Sequence, residues 1–151
     1  MNLSKAHQVR KVNLLKPKKV RLIPLPKLMK KADDVFAAWI RQRDGRCYAL
    51  DIPGEAQRCK GHLNCCHLIG RGKKAIRFDE KNCNGGCSFH NQIHDHTMRP
   101  QPHIYTGWFI RKYGADAYLD LEARAKVTKK WTREELNGII EKYKALNKEE
   151  K

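Results

Sequence analysis

At 151 residues the chain suits one domain with an arm and leaves little room for two substantial cores. Lys and Arg number 32 against 16 Asp and Glu, a formal net charge of +16, with a pI near 9.8 and a mean hydropathy of −0.76. No apolar run approaches the roughly 20 residues of a membrane helix, and the basic N-terminus lacks the features of a secretory signal, which excludes integral membrane and most secreted proteins. The expectation is a cytoplasmic protein, with no membrane partner and with a polyanion, most simply nucleic acid, as its ligand.

Residues 1–25 read as a basic arm. Ten basic and no acidic side chains fall within residues 1–31, and Pro17, Pro24 and Pro26 interrupt any helix there. Such a segment is either a solvated tail or an arm that orders on a phosphate backbone. From Pro26 onward Leu28, Ala32, Val35, Phe36, Trp39 and Ile40 recur at spacings of three and four, one apolar helical stripe that stops at Gly45. A glycine-punctuated segment over 46–91 follows, rich in Cys and His. Its short apolar runs, 63–69 and 75–78, read as the strands of a small hairpin joined by Gly70, Arg71, Gly72, Lys73 and Lys74. Helices are expected over about 88–97, around Tyr105, Trp108, Phe109 and Tyr113 with Gly114 as C-cap, and over 115–126. Thr132 and Glu135 make a capping box for a last helix with the face Leu136, Ile139, Ile140, Tyr143 and Leu146. The fold class is α+β, with a central domain over 26–126 and a C-terminal helix within 127–151.

All six cysteines lie between Cys47 and Cys87, interleaved with His62 and His67 and followed closely by His90. Without an export signal, clustered Cys and His point to metal rather than disulfides. Cys87-x-x-His90 lets two side chains from one turn reach a single tetrahedral ion, and Cys47 and Cys59 can complete a closed zinc site. Cys65 is the alternative to Cys59, and Cys65 and Cys83 otherwise fit ordinary buried thiols. A 40-residue segment with short strands has little core of its own, so zinc would supply folding free energy directly.

The remaining polar residues suggest chemistry. His67 ends a strand, Asn82 follows the second apolar run, and Asn91, His94 and Asp95 lie on the next helix. A neutral imidazole can take a proton from water while a divalent cation neutralises a phosphate. An Asn in the intervening loop can hold that imidazole in the right tautomer.

In this order the residues resemble the HNH (ββα-metal, His-Me finger) nuclease motif and, more narrowly, the NinG/Rap family of lambdoid phage recombination nucleases. Cys66-His67-Leu68-Ile69 matches the family's Gly-His strand, and Ala75 through Asn82 its Arg-Phe-x-x-x-Asn segment. Cys87-Ser88-Phe89-His90-Asn91 matches its Cys-x-x-Cys-Asn, and Tyr105 with Phe109 through Gly114 its helix ending in Gly. The likeness spans roughly residues 44–125. It departs from the family in three places. Leu50 stands where a second zinc Cys belongs, so that Cys59, after an insertion, is its substitute. His90 replaces a Cys, and Cys66 precedes His67 where the wider superfamily often has a metal-binding Asp or His.

The resemblance implies a zinc-stabilised ββα-metal core with Cys47, Cys59, Cys87 and His90 as structural zinc ligands. It makes His67 the general base, Asn82 the residue that orients the loop, and Asn91 a ligand of catalytic Mg²⁺ or Mn²⁺, with His94 and Asp95 as further candidates. It also implies a metal-dependent DNA endonuclease acting on branched recombination intermediates in the host cytoplasm. Arg71, Lys73, Lys74 and Arg77 are the expected DNA contacts. Two other functions fit the same motifs: a nicking or non-specific nuclease with another phage role, and a zinc-stabilised DNA-binding module without catalysis. Cleavage of a two-fold junction would favour a homodimer, for which the last helix could supply an interface or could instead pack on its own domain.

Overall fold

Five helices and a two-stranded sheet form residues 22–95 and 101–149, which the computed structural model describes. The basic arm expected over 1–25 lies, up to residue 21, outside the described residues. Helix α1 (Leu25–Asp44) carries Pro26 in its first turn, where a missing N–H breaks no helical bond. Gly45 closes it at φ 63°, donating its N–H to the Arg41 carbonyl. Leu28, Ala32, Phe36, Trp39 and Ile40 of the expected stripe are buried.

The sheet pairs β1 (Leu63–His67) antiparallel to β2 (Cys83–Cys87), with Leu63 opposite Cys87 and His67 opposite Cys83. This corrects the expected hairpin, because 75–78 is not its second strand. Instead Lys74–Ile76 is a 3₁₀ turn inside a long loop. Ile76 and Phe78 do not alternate across a sheet; they anchor that loop into two different cores. The strand that does form, Cys-Asn-Gly-Gly-Cys, has little intrinsic preference for extended structure. Close approach is what selects it. A Cβ at Gly85 would stand 2.7 Å from the Arg46 carbonyl oxygen, and one at Gly86 would collide with the Cys66 sulfur.

The hairpin lies between two cores. On one side α1 packs against α5 (Arg133–Glu149), where Phe36, Trp39 and Tyr143 make aromatic contacts and Phe78 and Cys83 join them. Leu136, Ile140 and Tyr143, the face that could have served a dimer, are buried in this core. The capping box forms as expected: the Glu135 N–H donates to Thr132 Oγ1, and the Thr132 N–H to the Glu135 carboxylate. On the other side Cys66 and Leu68 meet the 3₁₀ turn Tyr48–Asp51, α3 (Pro102–Tyr113) and α4 (Ala115–Ala125), through Tyr48, Tyr105, Trp108, Phe109 and Leu121. Helix α2 (Ser88–Asp95) leaves β2 without a linker and packs on both strands and α3. Its expected last residues, 96 and 97, lie outside the described residues. Asp44 ties the end of α1 to the sheet by accepting the Gly85 N–H at 2.6 Å.

Truncating Phe36 to Ala should cost about 3–5 kcal/mol of stability, because the ring is buried and contacts Trp39, Phe78 and Tyr143. Leu119→Ala, at an exposed position, should shift stability by no more than about 0.5 kcal/mol. Urea denaturation midpoints compare the two, and equal midpoints would contradict this packing.

Candidate functional site

Four short elements converge on one cluster. Cys47 follows the chain reversal at Gly45, Cys59 follows the 3₁₀ turn Ala56–Arg58, Cys87 ends β2, and His90 sits in the first turn of α2. The sulfurs of Cys47, Cys59 and Cys87 stand 3.7, 3.6 and 3.1 Å from His90 Nδ1, and all four ligand atoms lie within 4.8 Å of one another. Tetrahedral zinc, with bonds of about 2.3 Å to sulfur and 2.0–2.1 Å to nitrogen, requires S···N edges of about 3.6 Å. The cluster can therefore hold a structural metal such as zinc. Cys59 completes it, not Cys65. His90 is fully buried and its Nε2 meets the Glu55 carboxylate at 3.0 Å, the carboxylate–histidine arrangement that fixes a metal-binding ring. Arg58 in turn holds Glu55 at 2.9 Å. Burial pushes the Cys87 thiol up, but N–H groups of His90 and Lys60 and the His90 ring outweigh it and bring it down to about 7.

His67 lies at the other end of the hairpin, at the edge of a cavity of about 470 Å³. Ala37 and Arg41 of α1, Asn64, Cys65 and His67 of β1, Gly70, Arg71 and Gly72 of the loop, and Asn91 of α2 line it. Burial pushes the imidazole down to about 4, opposed by its bond to the Arg77 carbonyl and assisted by the positive charge of Arg71. The ring is therefore neutral near pH 7. Its Nε2 lies 3.1 Å from the Arg77 carbonyl oxygen; a carbonyl can only accept, so Nε2 carries the proton and Nδ1 keeps the lone pair.

Asn82, fully buried, closes the loop that carries this carbonyl. Its Oδ1 accepts the Ile69 N–H at 2.9 Å, and its Nδ2 donates to the carbonyls of Ile69 and Ile76 at 3.0 and 3.2 Å. It acts on His67 through backbone, one residue away from the carbonyl that holds the ring.

Other expected residues take different places. His94 turns away from the cavity and lies 2.8 Å from the Leu68 carbonyl oxygen, against Tyr105. The Asp95 side chain lies outside the described residues. Arg77 is committed within the protein: it grips Asp33 with two bonds of 2.8 and 2.5 Å and the Arg71 carbonyl with a third. Arg71, Lys73 and Lys74 are exposed on the loop. Cys66 is buried on the opposite face from His67 and is closed to the cavity. Asn91 lines the cavity, and among the described residues no carboxylate joins it there.

Arg41 and Asn64 were not legible as cavity residues. Ala37 and Arg41 share one face of α1 four residues apart, an arrangement ordinary for a solvated helix face. Only the packing of α1 across the hairpin brings them to His67.

The fold and the Cys₃His cluster define a small α+β protein with a candidate structural metal centre. The family model described as "NinG: Bacteriophage Lambda NinG protein" matches residues 2–151, and the chain belongs to that family. No curated protein and no solved structure matches it. Among the described residues no helix is long and apolar enough to cross a membrane.

Purified protein should hold one structural zinc, and chelation under denaturing conditions should block refolding. Glu55→Ala should weaken zinc retention by roughly 10–100-fold in competition with a chelator. Retention unchanged in that variant would remove Glu55 from the metal centre.

Proposed function

We propose that the protein is a DNA endonuclease that hydrolyses phosphodiester bonds in branched recombination intermediates. The observation that carries this reading is the cavity in which a neutral, oriented His67 faces Arg41 and Arg71. His67 Nδ1 accepts a proton as water attacks phosphorus. The new P–O bond forms as the P–O3′ bond breaks, and the departing 3′-oxygen is protonated from solvent. The two guanidinium groups offset the charge that gathers on the phosphoryl oxygens. A phosphate bound beside the ring also favours the imidazolium that results. Lys73 and Lys74, on the same loop as Arg71, extend the positive surface along the backbone of a longer substrate. Branched DNA as the substrate, and the recombination role, follow from the family resemblance.

A second reading, a zinc-stabilised DNA-binding module without catalysis, is favoured by one observation: the cavity lacks a carboxylate among the described residues. Labelled linear, nicked, forked and four-way DNA, incubated with Mg²⁺, Mn²⁺ or EDTA, separates the two. Cleavage that needs a divalent ion and is lost in Asn91→Ala would return the catalytic metal to Asn91. Cleavage that survives EDTA would leave the work to His67 and the arginines. Binding with every substrate intact under all conditions would overturn the nuclease.

His67→Ala should keep DNA binding and lower cleavage by on the order of 10²–10⁴-fold. Asn82→Ala should lower both stability and cleavage, since it frees the loop that presents the Arg77 carbonyl; its stability cost should be about 1–3 kcal/mol. Thermal melts alongside cleavage assays check both variants, and full activity in His67→Ala would exclude it as the base.

A further inference from the structure

A second group of metal-binding side chains lies away from the Cys₃His cluster. The ligand atoms of Cys65, His67 and Cys83 are all within 4.8 Å of one another. Strand alternation puts Cys65 and His67 on one face of β1, and the register sets Cys83 directly across from His67. Gly85 stands opposite Cys65 and has no side chain, so nothing separates Cys65 from Cys83 on the diagonal. Cys66, between Cys65 and His67, points to the other core and takes no part.

We propose that Cys65, His67 and Cys83 form a second metal site, selective for a thiophilic ion such as Zn²⁺, whose occupation takes His67 out of service as a base. Two thiolates and an imidazole are a zinc donor set and a poor one for Mg²⁺. Three protein ligands leave a fourth tetrahedral position, and since Cys65 and His67 line the cavity that position opens onto it. Cys83 is fully buried, but Cys65 is only partly covered and gives the ion a way in. The bond between His67 Nε2 and the Arg77 carbonyl oxygen leaves Nδ1 free, and metal-bound histidines commonly donate their other N–H in this way. Binding releases the protons of Cys65 and Cys83 and occupies the lone pair that would accept a proton from water. The existence of the site stands on its geometry alone; its effect on cleavage rests on the nuclease reading.

The test begins with protein carrying its structural zinc. Titration with Zn²⁺ and removal of excess should raise the metal content from about one to about two ions per chain, the second lost in Cys65→Ser. Titration of the zinc-bound protein with Co²⁺ should add a thiolate-to-cobalt absorption band that Cys65→Ser and Cys65→Ala both lack. Circular dichroism and melting confirm that each variant is folded, which partial exposure of Cys65 permits. Free Zn²⁺ should suppress cleavage at least tenfold in the wild type and leave Cys65→Ser unaffected. A content that stays at about one ion per chain, or a second ion retained equally by Cys65→Ser, would overturn the site. Binding of the second ion with equal inhibition of both proteins would overturn its control of His67. A second ion in a protein that cleaves no DNA would support the site and count against the nuclease instead.

Discussion

A two-stranded sheet with five residues in each strand cannot stand alone in water, and the rest of the structure answers that constraint. One face of the hairpin is covered by α1 and α5, the other by the 3₁₀ turn at Tyr48, α3 and α4. Its end at Cys87 is gathered by the Cys₃His cluster, which joins the reversal after α1, the turn before Cys59 and the start of α2 at one point. Asp44 adds a further tie from α1 to the Gly85 backbone. Chain segments with little core of their own are thereby held to the elements that have one.

The same sandwiching creates the candidate site. Because α1 crosses one face of the hairpin, Arg41 reaches the cavity that also holds His67 and Arg71. Because the loop between the strands is anchored by Ile76 in one core and Phe78 in the other, its backbone is positioned well enough to hold an imidazole. Asn82 completes that anchoring with three hydrogen bonds to backbone. Arg77 contributes through its carbonyl rather than its charge, while its guanidinium braces α1 through Asp33. A basic residue in a basic loop has become part of the frame.

The six thiols fall into three groups. Cys47, Cys59 and Cys87 join His90, Cys66 packs into the core beside Tyr48, and Cys65 and Cys83 share the cavity side with His67. Alternation along β1 makes the difference: neighbouring residues Cys65 and Cys66 face opposite cores. The residue that precedes the proposed base is consequently unavailable to a metal beside it. The thiol two residues before that base is in reach.

Local chemistry made several features legible in the sequence. The stripe of α1 with Gly45 at its end, the Thr132–Glu135 capping box and the Gly114 stop each depend on residues within a few positions of one another. Cys87-x-x-His90 is legible for the same reason, being one helical turn. The second strand was not. Ala75 to Phe78 has the apolar character of a strand and Cys83 to Cys87 does not, yet only the latter can approach Cys66 and Arg46 closely enough to pair. Nor could spacing determine that Arg77 would spend its charge on Asp33, that His94 would turn to Leu68, or that Arg41 would face His67. Sequence by itself determined the helices, their caps and the residue types of the metal centre, because those follow from periodicity and short-range bonding. Tertiary structure alone decided the pairing of the strands and the membership of the cavity, because both depend on which distant surfaces come close enough to exclude a side chain.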